Sequence, residues 1–200
     1  IFDQPTTFLT EKEGLRVTFS GFPYARQVRA EFNALVSATG YHQQQADIRL
    51  LCIHQAVEGA QVGPVNFTFR YAPDVVRGQD IPAVFDAVLS GHIHRCQVLR
   101  KDLAGRSMPA PVIYPGSVER TAFAEQAEQK GYITLDFHKH QSGKKSRIKR
   151  IQVHPLPARP MVSLDLHLDG MTIAQIHRWL RDNLSVLNAN AVVCIHLRGE

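Results

Sequence analysis

One stretch, Leu89-Ser90-Gly91-His92-Ile93-His94-Arg95, constrains this chain more than any other. Its Gly-His-x-His lies between one apolar run (Ala83, Val84, Phe85, Ala87, Val88, Leu89) and a second (Cys96, Gln97, Val98, Leu99). Two imidazoles two positions apart on a regular strand point to opposite faces. In a loop opened by glycine both rings can instead turn into one cavity, because glycine adopts backbone angles that other residues resist. Imidazole nitrogen suits zinc, manganese, iron and related divalent ions. The pattern alone equally describes a turn with two solvated histidines, so its context decides.

Two further stretches supply that context. Ile48-Arg49-Leu50-Leu51-Cys52-Ile53-His54 reads as a buried strand that ends in a histidine. Val112-Ile113-Tyr114-Pro115-Gly116-Ser117-Val118-Glu119-Arg120 follows the GHxH loop, and Lys130-Gly131-Tyr132-Ile133 comes after it. Strand-end His, then GHxH, then YPGS-x-E-R, in that order, resembles the C-terminal half of a calcineurin-like metallophosphoesterase. Within that superfamily the chain is most similar to SbcD-type DNA repair exonucleases, whose catalytic domain ends in a YPGS segment and a KG-aromatic strand. The resemblance covers roughly residues 15 to 155.

Its implications are specific. It implies an α/β fold, part of the four-layer α/β/β/α metallophosphoesterase sandwich. Residues 1 to 155 would be the C-terminal part of the catalytic domain, 156 to 160 a proline-rich linker, and 161 to 200 a small βαβ unit of the capping or DNA-binding kind. It implies two divalent metal ions, Mn2+ favoured, with His54 and His92 on one and His94 on the other. Tyr114, Ser117 and Arg120 would border the substrate. The implied activity is phosphodiester hydrolysis by a cytoplasmic DNA repair nuclease, with DNA and an SbcC-type ATPase as partners. The implied assembly is a homodimer, or association with a missing N-terminal segment.

The chain departs from the family's pattern in one respect. A pair of dications held by neutral ligands alone would repel strongly, so carboxylates are needed beside the imidazoles. The family draws them, with an Asn and an acid/base His, from D-x-H, GDxxD and GN-H-D/E segments upstream of the strand-end histidine. None of these is present, and Gly78-Gln79-Asp80 and Asp86 are not substitutes. The catalytic acid/base residue is therefore unassigned. Three readings stand: a phosphoesterase lacking its first half-site, nuclease or small-molecule phosphatase/nucleotidase; a non-catalytic interaction module; and a single zinc site of His54, His92, His94 and Cys96.

Composition narrows the field where it is uneven. No apolar run approaches the roughly 18 residues of a membrane span, and the three cysteines, without a CxxC, read as reduced cytosolic thiols. Of the net charge of +5, residues 139 to 150 supply six cations (Lys139, Lys144, Lys145, Arg147, Lys149, Arg150) and no acid. Such a run can track a phosphate backbone, or simply solvate the tip of a hairpin turning at Gln141-Ser142-Gly143. His138 and His140 beside it read as exposed.

Elsewhere the periodicity predicts a strand over Leu15–Phe19 and a helix striped by Ala25, Val28, Phe32, Leu35 and Val36. It predicts an irregular loop from Gly59 to Gly78, and hairpins over Arg95–Asp102 with Pro111–Tyr114 and over Gly131–Phe137 with Arg147–Val153. Beyond the linker it predicts a strand around Leu164, a helix opened by the Thr172/Gln175 capping box and striped by Ile173, Ile176, Leu180 and Leu184, and a last strand through Ile195. An inner sheet face of Leu50, Cys52, Val88 and Ile133 would lie open unless a partner covered it.

Overall fold

The computed structural model describes residues 2–138 and 147–199. The turn expected around Gln141-Ser142-Gly143 and most of the basic run lie outside these residues, as does His140. Of that run, Lys149 and Arg150 are exposed.

A six-stranded mixed sheet organises the first three-quarters of the chain. Strand β1 (Thr6–Lys12) forms an antiparallel hairpin with β2 (Leu15–Gly21). Helix α1 (Val28–Ala38) then leads to β3 (Ile48–Ile53). Four two-residue strands punctuate the following loop: β4 (Ala56–Val57), β5 (Gln61–Val62), β6 (Phe67–Thr68) and β7 (Val75–Val76). After them come β8 (Ala87–Ser90), β9 (Gln97–Lys101) and β10 (Ser107–Tyr114). The sheet order is β1-β2-β3-β8-β10-β9, with β2, β3, β8 and β10 mutually parallel and an antiparallel strand at each edge. β3 reads as a continuous apolar run because both its faces are covered, as parallel strands require. Ile48 and Leu50 point one way, Leu51 and Ile53 the other, and all four are buried.

On one face, Val28, Phe32 and Val36 of α1 recur every fourth residue and pack with Leu51, Ile53, Val88, Val112 and Tyr114. On the other face lies the hairpin of β11 (Gly131–His138) and β12 (Arg147–Pro155). Alternation puts Ile133, Leu135, Phe137, Ile148 and Ile151 against Ile48, Leu50, Ala87 and Ile113. Tyr132 is left on its outer side, stacked on His154, while Val153, opposite Ile133, stays exposed at the end of the inner row.

This corrects the expected open face in two ways. Val88 faces α1, and Ile133 belongs to the hairpin that covers Leu50. Leu15, Val17 and Phe19 are the apolar residues of this face that stay half-buried on β2.

The chain then runs through 156–160 into β13 (Met161–His167), α2 (Ile173–Leu184) and β14 (Val192–Arg198), the two strands being parallel. The segment before β13 is held to the rest of the chain. Leu156 N donates to Lys130 O, and Arg159 N to Glu119. Thr172 and Gln175 make the reciprocal capping box that opens α2. Ile176 and Leu180 lie half-buried, but Ile173 is 75% exposed and not part of the inward stripe. Among the described residues no helix is long and apolar enough to cross a membrane.

Candidate functional site

Three adjacent parallel strands end at the same edge of the sheet, the edge where open α/β sheets place their sites. β3 delivers His54 and Gln55, β8 delivers Gly91 and His92, and β10 delivers Pro115, Gly116 and Ser117. Buried hydrogen bonds lock the three ends together. The Gln55 carbonyl accepts from Ser90 Oγ at 2.8 Å and from Tyr114 Oη at 3.0 Å, and Gln55 Nε2 donates to Ala25 O at 3.1 Å.

Tyr114 is therefore a brace. It is fully buried, and burial pushes its hydroxyl pKa well above the ordinary value. The expectation that it borders substrate does not match this placement.

His54 and His92 come together. Their ring centroids lie 5.4 Å apart, edge to face. Gly91 permits this approach, since a Cβ built on it would sit 2.6 Å from His54 Nδ1. His92 holds a left-handed backbone, φ 72°, which costs a non-glycine residue about 1–3 kcal/mol and is a recurrent mark of functional loops. Ile93, 3% exposed, anchors the loop in the core between two exposed histidines. Tyr24 stacks on the His92 ring at 5.8 Å. Burial, then the neighbouring His54, lower the His92 pKa, and the Asp74 charge opposes them. The balance favours the neutral imidazole, which is the metal-binding form.

His94 turns to a different set of partners. Its Nδ1 lies 2.8 Å from Glu125 Oε1 and 3.2 Å from Thr121 Oγ1. Glu125 in turn accepts from Lys130 Nζ at 2.6 Å. The Lys130 side chain is wholly buried, and its ammonium also reaches Glu128 at 3.4 Å and the His94 carbonyl at 3.1 Å. Glu128 holds Arg95, whose other donors take Asn66 Oδ1 and the Gly63 carbonyl, both at 2.7 Å. The segment after YPGS is thus the scaffold of the GHxH loop: two carboxylates and two cations in one neutral cluster.

The YPGS glycine completes that scaffold. Gly116 has φ 81°, and a Cβ there would stand 2.8 Å from His94 O and 2.9 Å from Cys96 N. The neighbouring Ser117 N–H donates to His94 O at 3.1 Å. Gly116→Ala should therefore cost about 3 kcal/mol, from αL strain plus a backbone clash. Gly105 (φ 79°, nothing within 4 Å) isolates the first effect, and Gly105→Ala should cost about 1 kcal/mol. Urea denaturation of both variants checks this, and equal losses would contradict the contact.

Ser117 donates to Glu119 O at 2.8 Å. Arg120 donates from Nε and Nη2 to Glu128 O, at 3.2 and 2.9 Å, and from Nη1 to Arg159 O at 3.0 Å. Its guanidinium ties the turn after β10 to the segment before β13. Neither side chain is presented toward the histidine pair as it stands.

The residues present fit only part of a metal centre. Among the described residues no group of three or more His, Cys, Asp or Glu stands close enough to hold an ion. His54 and His92 are a pair, no carboxylate joins them, and His94 is engaged by Glu125. Cys96 is half-buried, with its thiol pKa raised by burial, and the zinc site of three histidines and Cys96 is not assembled. Sequence reasoning missed Tyr24, Asp74 and Glu125, and took Lys130 only as part of a KG-aromatic pattern. The repeated Glu at 125 and 128 before a lysine was the available signal for the last two.

No family model matches the chain. Among solved structures it is similar to a Staphylococcus aureus protein described as a candidate 5′-nucleotidase, crystallised with α-ketoglutarate, at 14% identity and a TM-score of 0.46. That alignment covers 90% of this chain and 33% of the other, so the chain spans about a third of that protein's length.

Proposed function

We propose that this chain carries the imidazole half of a two-metal phosphoesterase centre. The observation that carries this reading is the His54–His92 pair: two imidazoles from the ends of adjacent parallel strands, 5.4 Å apart, one on a backbone held at φ 72°. A bland turn has no reason to bear that strain or to keep the space that Gly91 leaves for His54. Bound divalent ions in such a centre polarise a phosphoryl oxygen and bring a water to its nucleophilic form. His54 and His92 would hold one ion and His94 would face the other. The carboxylates that must accompany them would come from residues outside these 200. In this reading the α1, sheet and hairpin layers are part of an α/β/β/α sandwich, as the resemblance to SbcD-type nucleases implies.

A nucleic acid diester is the first-named substrate, on the six cations between residues 139 and 150. These can follow a phosphate backbone. The test is hydrolysis in Mn2+ by the complete reading frame that encodes these residues, on bis(4-nitrophenyl) phosphate, single-stranded DNA and a nucleoside monophosphate. Hydrolysis abolished by His92→Ala is the expected result, with the diesters preferred. The 200-residue chain alone should hydrolyse none of them. Hydrolysis indifferent to His92→Ala would overturn the reading, and preference for the monophosphate would reassign the substrate to a nucleotide. Robust hydrolysis by the chain alone would show that its own residues complete the site.

A further inference from the structure

We infer that Glu125 is the positioning residue for His94, holding its imidazole as the Nδ1–H tautomer so that a bare Nε2 is presented at the cleft shared with His92. The inference rests on the phosphoesterase reading for its purpose, and on the Glu125 cluster for its geometry. Glu125 Oε1 lies 2.8 Å from Nδ1, while Oε2 is taken by the Lys130 ammonium at 2.6 Å. Thr121 Oγ1 donates to Oε1 at 3.0 Å.

A carboxylate beside a wholly buried ammonium stays ionised, and an ionised carboxylate only accepts hydrogen bonds. Nδ1 must therefore be the donor. The alternative, Nδ1 unprotonated and accepting from Thr121, would set its lone pair against a carboxylate oxygen at 2.8 Å. In the neutral ring the other nitrogen is then bare. Nε2 has no hydrogen-bond partner among the described residues, and the ring is 49% exposed. It borders a cleft with Val62, Gly63, His92, Arg95 and Glu128. Carboxylates placed behind a metal-binding histidine fix its tautomer and ring orientation in this manner. Here Lys130 in turn fixes the carboxylate, with its ammonium also on the His94 carbonyl at 3.1 Å, so ring and backbone are set by one buried group.

Nitrogen-15 NMR of the histidine side chains at pH 8, on the full 200-residue chain, reads the tautomer without metal or substrate. The expected spectrum places the His94 proton on Nδ1 in the wild type, and in Glu125→Ala shows exchange between the two tautomers. A wild-type His94 protonated on Nε2 overturns the inference, as does a folded Glu125→Ala chain with an unchanged His94 signal. If that variant does not fold, the wild-type spectrum alone decides which nitrogen carries the proton. Adding Zn2+ separates this from the functional reading. The concentration needed to perturb His94 should rise about 10–100-fold in Glu125→Ala. A wild type whose His54, His92 and His94 signals ignore Zn2+ would fail the metal reading and leave the tautomer result intact.

Discussion

Replacing Lys130 by alanine is expected to cost about 3–5 kcal/mol of stability, the penalty for removing one partner from a buried ion cluster. No other cation in the described chain is so enclosed: Lys130 is 2% exposed, and its ammonium contacts two carboxylates and a carbonyl. Glu125 shows how much of the local chemistry depends on it. Burial would raise the Glu125 pKa, but hydrogen bonds from Lys130, His94 and Thr121 outweigh it and bring the carboxyl down to about 2. With the ammonium gone, two carboxylates would face one remaining cation, Arg95, and the burial cost would go uncompensated. Lys130→Met keeps the volume without the charge and should recover only packing, ending nearer the alanine variant than the wild type. Urea denaturation of the three proteins measures this. A methionine variant as stable as wild type would mean that the cluster is held by shape and not by charge.

The same cluster shows where sequence reading stops. The strand at Leu15 was legible because apolar residues recur with period two, and the one at Ile48 because its apolar run is nearly continuous. The hairpin partner of β2 was not anticipated. Thr6 to Lys12 carries little apolar signal because β1 is an edge strand, largely exposed, whose pairing is set by β2. Face assignment also exceeded what periodicity provides. It shows that Leu50 and Leu51 point oppositely, but only tertiary structure determines that Val88 lies with Leu51 under α1.

Gly-His-x-His and a strand-end His are local patterns that can be read from the sequence, and the structure brings two of the three rings together. Tyr114 was misread for the converse reason. Its role depends on a carbonyl 59 positions away, at Gln55, and no local pattern distinguishes a brace from a substrate contact. Arg120 differs in the same respect, its donors reaching carbonyls at Glu128 and Arg159. Glu125 drew no reading from the sequence, and Lys130 was read only as part of a KG-aromatic pattern. Their placement follows from Gly116 drawing the chain against His94 and Cys96, a tertiary contact that only a glycine allows.

The central claim is that His54 and His92 form one half of a divalent-metal site, and a calorimetric Zn2+ titration tests it most directly. Zinc is the suitable probe because it binds imidazole without requiring carboxylates. The comparison is between the wild-type chain and the His54→Ala, His92→Ala double variant. That variant keeps eight of the ten histidines, so binding elsewhere is subtracted. The two rings already adjoin, one on a strained backbone, so little ordering remains to oppose binding. The account predicts a weak wild-type site, one ion per chain, that disappears in the double variant while stability is nearly unchanged. Equal binding by the two proteins would contradict it, and would mean that the rings adjoin for packing alone.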